Sequence, residues 1–445
     1  MQRVKKIQQQ NLSLNNASPL GDKLFLGTLA VLIFLIPTNL FAKLPYSGVI
    51  VSGITIDYLL PKFFLSDIVA LFVIILSWRF FSKKMLHILF VVGVFAVTHL
   101  FLHRYDLTLP SIAWMLLKWF EIITLAFVLI ERRALLNHPW ITRAIALTIV
   151  FQTMLGGYQF ALQRSFIGFK FFGEPSFSNA SLLVKSELPG VVRILPYGTT
   201  PHPNILAGVV VVMFFLLMLQ ASKSLLTQLS GVCALLLALT TQSDSALYAL
   251  FFGFIIFVFV NSDKWKMKTK TWIVIATSAA IVTLSPYALA SLAPQLPLSS
   301  SITRRVQLNS MGVRAFLAHP VEGTGLNAFT AVEHAYGEVP TTIRFAQPIH
   351  HIPLLFLTET GIVGLIFLVL FLCIVHKYYS PIFSSCVVFS VPIAIIFSLD
   401  HYVYSLQQGH LMFAFILAFL LEKRGMNKPT VKSVWYERNQ DFRLE

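Results

Sequence analysis

Residues 347–375 read QPIHHIPLLFLTETGIVGLIFLVLFLCIV, and this stretch decides the fold. From 352 to 375 the run carries one charged side chain, Glu359. As a helix it is long enough to cross a hydrocarbon core of ~30 Å. A carboxylate inside such a run is costly in lipid, so it is expected to be paired or functional. Two histidines stand directly before the run, and Pro353 suits a first helical turn.

The pattern recurs along the chain. Further apolar blocks fall at about 24–42, 65–82, 85–103, 111–131, 140–162, 204–220, 224–240, 245–261, 271–292, 381–399 and 406–421. Hydrophobic residues make up 56% of the 445 and charged residues 12%, with a mean hydropathy of +0.74. A soluble domain carries roughly twice that charged fraction. Ten-residue alternating strands are missing, which argues against a membrane β-barrel. The sequence therefore predicts an all-α polytopic membrane protein of about twelve helices. Its parts are an N-terminal tail at 1–23, a membrane domain at 24–421 with long loops at about 162–203 and 293–351, and a C-terminal tail at 422–445.

Basic residues orient the bundle. With the N-terminus cytoplasmic, Arg79, Lys83, Lys84, Arg132, Arg133, Arg143 and the basic residues of both tails share the inner side. The short outer turns then carry little positive charge, as the positive-inside rule requires. Both long loops face outward. The net charge of +15 is accounted for by a basic inner face against anionic lipid, with no nucleic-acid partner. Cys233, Cys373 and Cys386 all fall within spans, so no disulfide framework is expected.

The outer loops hold Arg193, Arg304, Arg305, Arg314 and Arg344 together with His202, His319, His334, His350 and His351. A guanidinium stays charged at any relevant pH and offers a planar fork to phosphate oxygens. A headgroup contact or surface ion pair accounts for any one of these arginines; the set points to an anion delivered by lipid. Periodicity predicts a helix from Thr303, its cap, to His319-Pro320, with Arg305 and Arg314 on opposite sides. Metal-ligand spacing of His and Cys is lacking, so no metal site is expected. His350 suits a proton acceptor, against the plainer reading of an interfacial histidine at a helix start. Lys118 and Glu121, three apart, read as a local ion pair.

Three blocks then carry a resemblance. His350-His351, nine intervening residues and Gly361-Ile362-Val363-Gly364 resemble a signature of the O-antigen ligase and O-antigen polymerase superfamily. Arg305, fifteen residues before Pro320, with Gly323-Thr324-Gly325 behind, is similar to a second element, and RILPYGTTPHPNILA at 193–207 to a third. IDYLLPKFFLSD at 56–67 is similar to the family's entry to its second helix. His351 stands where the family has an amide or hydroxyl, and Asp244 in TTQSDSA where an Arg is common.

The resemblance implies a C-type, multi-helix glycosyltransferase in the inner membrane, acting at the outer face without metal or cofactor. Its donor would be a glycan on a polyprenyl diphosphate such as undecaprenyl diphosphate. Its acceptor would be a hydroxyl on lipid A core, another glycan or a protein. Arg193 and Arg305, with Arg304 and Arg314 in reserve, would hold the diphosphate. His350, or His351, would receive the acceptor proton. His202, Asn204 and Glu359 would position the site, and Gly361 and Gly364 would let helices approach closely. A polymerase of the same superfamily is the nearest alternative reading. A lipid-linked glycan flippase is the alternative from another class, although it calls for more intramembrane charge than this chain holds.

Overall fold

A computed structural model describes residues 20–424 apart from 45–49, 52–53, 105, 167–172, 179–182, 187, 189, 191, 221–223, 262–266, 297–300 and 338–345. Arg344 and most of both tails lie outside the described residues. Nine helices come first: α1 (Leu20–Leu35), α2 (Leu65–Ile75), α3 (Lys83–Leu102), α4 (Leu109–Glu131), α5 (Pro139–Leu162), α6 (Pro203–Leu219), α7 (Leu225–Thr241), α8 (Asp244–Asn261) and α9 (Met267–Leu292). Then follow α10 (Ser301–Ala318), the short α11 (Phe329–Val332), α12 (Ile352–Tyr378), α13 (Phe383–Leu399), the short α14 (Tyr402–Ser405) and α15 (Gln407–Leu420). Three small antiparallel ribbons complete the described structure. They pair β1 (Phe41–Lys43) with β4 (Lys62–Phe64), β2 (Ile50–Val51) with β3 (Ile54–Thr55), and β5 (Tyr379–Pro381) with β6 (Leu421–Lys423).

A helix stands at each expected apolar block, so the chain is an all-α membrane protein. Five of these helices, Lys83–Leu102, Leu109–Glu131, Pro139–Leu162, Thr269–Gln295 and Ile352–Tyr378, are long and apolar enough to cross a membrane. The others are shorter, and helix length alone does not establish twelve crossings. Local chemistry sets the ends. Pro lies in the first turn of α4, α5, α6 and α12, where its missing N–H costs nothing. Ser82 Oγ accepts from the Met85 N–H at 3.2 Å and starts α3. Gln163 and Gln242 adopt the left-handed conformation and stop α5 and α7.

The bundle buries α4 and α6 at its centre; residues 205–213 of α6 are all shielded from the surface. Helices α7, α8 and α15 pack against α6, while α9 and α8 pack on α13. Outward-facing Phe90, Val97, Phe101, Phe251, Trp272 and Ile366 make an apolar exterior, which suits contact with lipid tails.

Two expectations about local structure change. Helix α10 begins at Ser301, so Thr303 lies inside its first turn and does not precede it. Lys118 pairs chiefly with Asp67 of α2, and its nitrogen stands 3.9 Å from Glu121. Asp67 also accepts from the Phe64 N–H at 2.7 Å and from Gln407 Nε2 at 2.5 Å. One carboxylate therefore ties α2, α4 and α15 together. Spacing along one helix cannot reveal a partner on another.

Candidate active site

The site begins with a break in α12. Gly361 has φ +61° and ψ −162°, a conformation open in practice only to glycine. The break leaves main-chain groups without helical partners, and the turn 320–325 takes them. Ile362 N–H donates to Pro320 O at 2.9 Å and Val363 N–H to Val321 O at 3.1 Å. In return, Thr324 N–H donates to Thr358 O and Gly325 N–H to Glu359 O, both at 2.9 Å. Gly361 thus serves a close approach of turn to helix and not of helix to helix. Gly364 faces Thr360 and Phe356 of its own helix. Glu359, buried below the break, accepts from Asn327 N–H at 2.8 Å and Phe329 N–H at 3.4 Å. The turn at 320–325 and the break at Gly361 are one structural unit that docks α10 on α12.

Docking α10 in this way buries Arg305, which is 4% exposed, and leaves Arg314 on the outer surface. Arg305 Nε donates to Leu399 O at 3.0 Å, at the end of α13. Its charge acts on His350, Asp400, His401 and His202. Those four line one cavity of about 410 Å³, whose walls also include Tyr58, Lys62 and Lys118. The volume is of the size that holds a small ligand or the head of a larger one.

Each histidine there has a definite role for its ring nitrogens. His350 Nδ1 lies 3.1 Å from Pro348 O. A carbonyl only accepts, so Nδ1 carries the proton and Nε2 keeps a lone pair. The rings of His350 and His401 meet edge to face with centroids 4.8 Å apart. His401 Nδ1 lies 2.6 Å from Ser405 Oγ, which in turn donates to His401 O at 3.1 Å. Both bonds form when Nδ1–H donates to Oγ, so His401 Nε2 also keeps its lone pair. The His401 N–H donates to Asp400 Oδ1 at 2.8 Å. His351 is placed differently. Its Nδ1 accepts from Leu354 N–H at 3.3 Å, capping α12, and its Nε2 donates to Val282 O at 2.9 Å. Both its nitrogens are engaged. His202 caps α6 in the same manner, accepting from Asn204 N–H at 3.1 Å, and both residues line the cavity.

Electrostatics keep the imidazoles neutral. Burial, then the neighbouring His401 and Arg305, holds His350 well below the usual histidine range. Burial lowers His401 to about 3, and burial with Arg304 and Arg305 lowers His202 to about 4. Burial raises Asp400 to about 6 against the pull of Arg305, so it remains mostly ionised at neutral pH.

The other expected residues lie elsewhere. Arg193 is exposed, with Nη1 donating to Phe160 O and Ala161 O at 3.0 Å, and it does not line the cavity. Arg304 is half-buried beside His202. Asp244 opens the first turn of α8 and is exposed. Sequence reasoning missed Tyr58, Lys62, Asp400 and His401. Asp400 and His401 lie in the short turn between two apolar blocks, where DHYVYSLQQGH is unusually polar for a membrane connection.

The architecture and this recessed polar cavity define a helical membrane protein with a site at one end of its bundle. Residues 229–369 match the family model described as O-Antigen ligase, and the chain is O-antigen ligase-like in that segment, in agreement with the resemblance drawn from its motifs. No curated protein matches. The matched segment supplies Arg305 and His350; the walls at 39–64, 114–118, 201–205 and 400–410 come from outside it.

Proposed function

We propose that this chain is a membrane glycosyltransferase that moves a glycan from a polyprenyl diphosphate to an acceptor hydroxyl at the outer face. The observation that carries the proposal is the pairing of a neutral His350, its Nε2 lone pair unspent, with the buried Arg305 charge at one cavity. A hydroxyl attacking an anomeric carbon must lose a proton, and a departing diphosphate gains charge. An imidazole lone pair serves the first need and fixed cations the second, with no metal required.

His350 Nε2 accepts the acceptor proton. Arg305 supplies positive potential from behind the wall, and the α6 N-terminus adds to it at the lining, where Lys62 is ion-paired with Asp57. Arg193 engages two main-chain carbonyls through Nη1, and its guanidinium lies over the Phe160 ring, 5.9 Å from the centroid, on the exposed surface. It is the arm that meets the diphosphate as donor arrives. Arg304 and Arg314 widen the cationic field, while His351 acts as a cap.

Topology supports the outer placement. Twelve crossings with cytoplasmic termini make every second connection an outer one. All the lining residues come from those connections or from adjoining helix turns. Arg79, Arg132 and Arg133 stand at the opposite connections. The test is purified protein with a polyprenyl-diphosphate oligosaccharide and candidate acceptors. Transfer with release of lipid diphosphate is expected, and its loss in His350→Ala with donor binding intact. The acceptor that works distinguishes ligase from polymerase. Export of intact lipid-linked glycan by protein that makes no product would overturn the proposal.

A further inference from the structure

His350 and His401 share a feature that proton transfer does not use. In each, Nδ1–H is committed to an oxygen, Pro348 O or Ser405 Oγ, and Nε2 is left as a lone pair. The structure brings one ligand atom from each histidine and one from Asp400 within 4.8 Å of one another. Outer-sphere bonds that fix the tautomer and aim Nε2 are what metal-binding histidines have. Two imidazoles and a carboxylate, all lining one cavity, are the donor set of a three-ligand Zn²⁺ site.

We propose that His350, His401 and Asp400 form a binding site for an imidazole-preferring divalent cation such as Zn²⁺, and that its occupation inhibits the enzyme. Zn²⁺ bonds of about 2.0–2.1 Å place donors roughly 3.3 Å apart, so the widest pair closes by side-chain rotation. Selectivity follows from the donor set. It offers one carboxylate where hard ions such as Mg²⁺ and Ca²⁺ need several oxygen ligands, and the Arg305 charge nearby weakens the attraction for any dication held by charge alone. Nitrogen donors remain, and these favour Zn²⁺ or Cu²⁺. Inhibition follows because the metal takes the lone pair of His350 that receives the acceptor proton. This second part rests on the transferase reading; metal binding itself does not.

The full-length protein in detergent is titrated with Zn²⁺ in competition with a fluorescent chelator, with Mg²⁺ as the comparison ion. One Zn²⁺ per chain at micromolar concentration is expected, and no competition from millimolar Mg²⁺. His401→Ala and Asp400→Asn should each weaken binding at least tenfold, and Ser405→Ala roughly 10–100-fold by loosening the ring of His401. Melting of each variant without metal separates lost ligands from lost folding. Zn²⁺ uptake unchanged in folded His401→Ala, or no uptake by the unaltered protein, would overturn the site. In the transfer assay, Zn²⁺ should lower the rate over the concentration range in which it binds, and a chelator should restore it. Zinc bound with no transfer under any condition leaves the metal site standing and removes the transferase reading. Transfer indifferent to bound zinc removes the inhibition.

Discussion

Replacing Gly361 by alanine tests the unit that assembles the site. The residue sits at φ +61° and ψ −162°. A side chain there pays about 1–3 kcal/mol of backbone strain. A Cβ would also land on the carbonyl of Val321 and 2.7 Å from the Gly323 nitrogen, both main-chain atoms that cannot rotate away. The turn must retreat, and the bonds from Ile362 N–H to Pro320 O and Val363 N–H to Val321 O go with it. Each is worth about 0.5–1.5 kcal/mol, more if the donors stay buried and unpaired. The total is about 2–6 kcal/mol, a large share of the roughly 5–15 kcal/mol that keeps a domain folded. Gly157→Ala in α5 is the comparison. Its Cβ meets nothing within 4 Å, so the change is neutral or steadies the helix by up to about 1 kcal/mol. Thermal unfolding of detergent-solubilised protein, followed by tryptophan fluorescence, should rank Gly361→Ala far below Gly157→Ala. A Gly361→Ala protein that melts with the unaltered one would refute the stitched-turn account.

His350→Ala should lower transfer by roughly 10²–10⁴-fold with donor affinity kept, whereas His351→Ala should cost about 0.5–2 kcal/mol of stability through a lost cap and leave the proton step intact; single-turnover rates and melting separate them. Arg193→Ala should weaken donor binding at a small cost in stability, since this exposed guanidinium forfeits two hydrogen bonds to helix-end carbonyls, each worth about 0.5–1.5 kcal/mol. Arg305→Ala should lose both rate and stability, because it removes a buried charge beside Asp400. Burial pushes Glu333 up to about 8 in the folded chain, against an ordinary value of 4.5. Its raised value gives stability that is full below pH about 4.5 and declines as pH rises to about 8. Glu333→Gln should therefore gain most over the unaltered protein at pH 8 and above, read as the difference in melting temperature across pH.

The helices were legible because lipid demands long apolar runs, and the blocks at 85–103, 111–131, 140–162, 271–292 and 352–375 each became a helix of membrane length. The amphipathic α10 was legible as well, with Arg305 inward and Arg314 outward as its turn geometry requires. What sequence could not show was partnership between distant segments. Lys118 had a plausible partner three residues on, yet a carboxylate from another helix outcompetes it. The glycine pair in α12 looked like a helix contact because spacing cannot distinguish a close neighbour from a broken backbone. His350 and His351 were indistinguishable in one dimension. At the start of a helix, adjacent residues point in different directions, which sends one ring to the cavity and the other to Val282 O.

The same logic explains why the cavity is assembled from segments so far apart in sequence. On the proposed transferase reading, the site takes a lipid-borne diphosphate and an aqueous hydroxyl, which places it at a bundle end, where helix termini gather and no single loop reaches across. Helix starts at His202 and His351 bring main-chain N–H groups there, and the end of α13 brings Leu399 O for Arg305. The Asp67 ion pair with Lys118 holds the floor beneath it, together with the bonds from Gln407 of α15 to Asp67 and Ser66 of α2. Chemistry-bearing residues at 202, 350 and 400 can then share one small volume, with Arg305 behind its wall, only if α6, α10, α12 and α13 end at the same level. That shared level is what makes a buried charge on α10 felt by a ring at the mouth of α12.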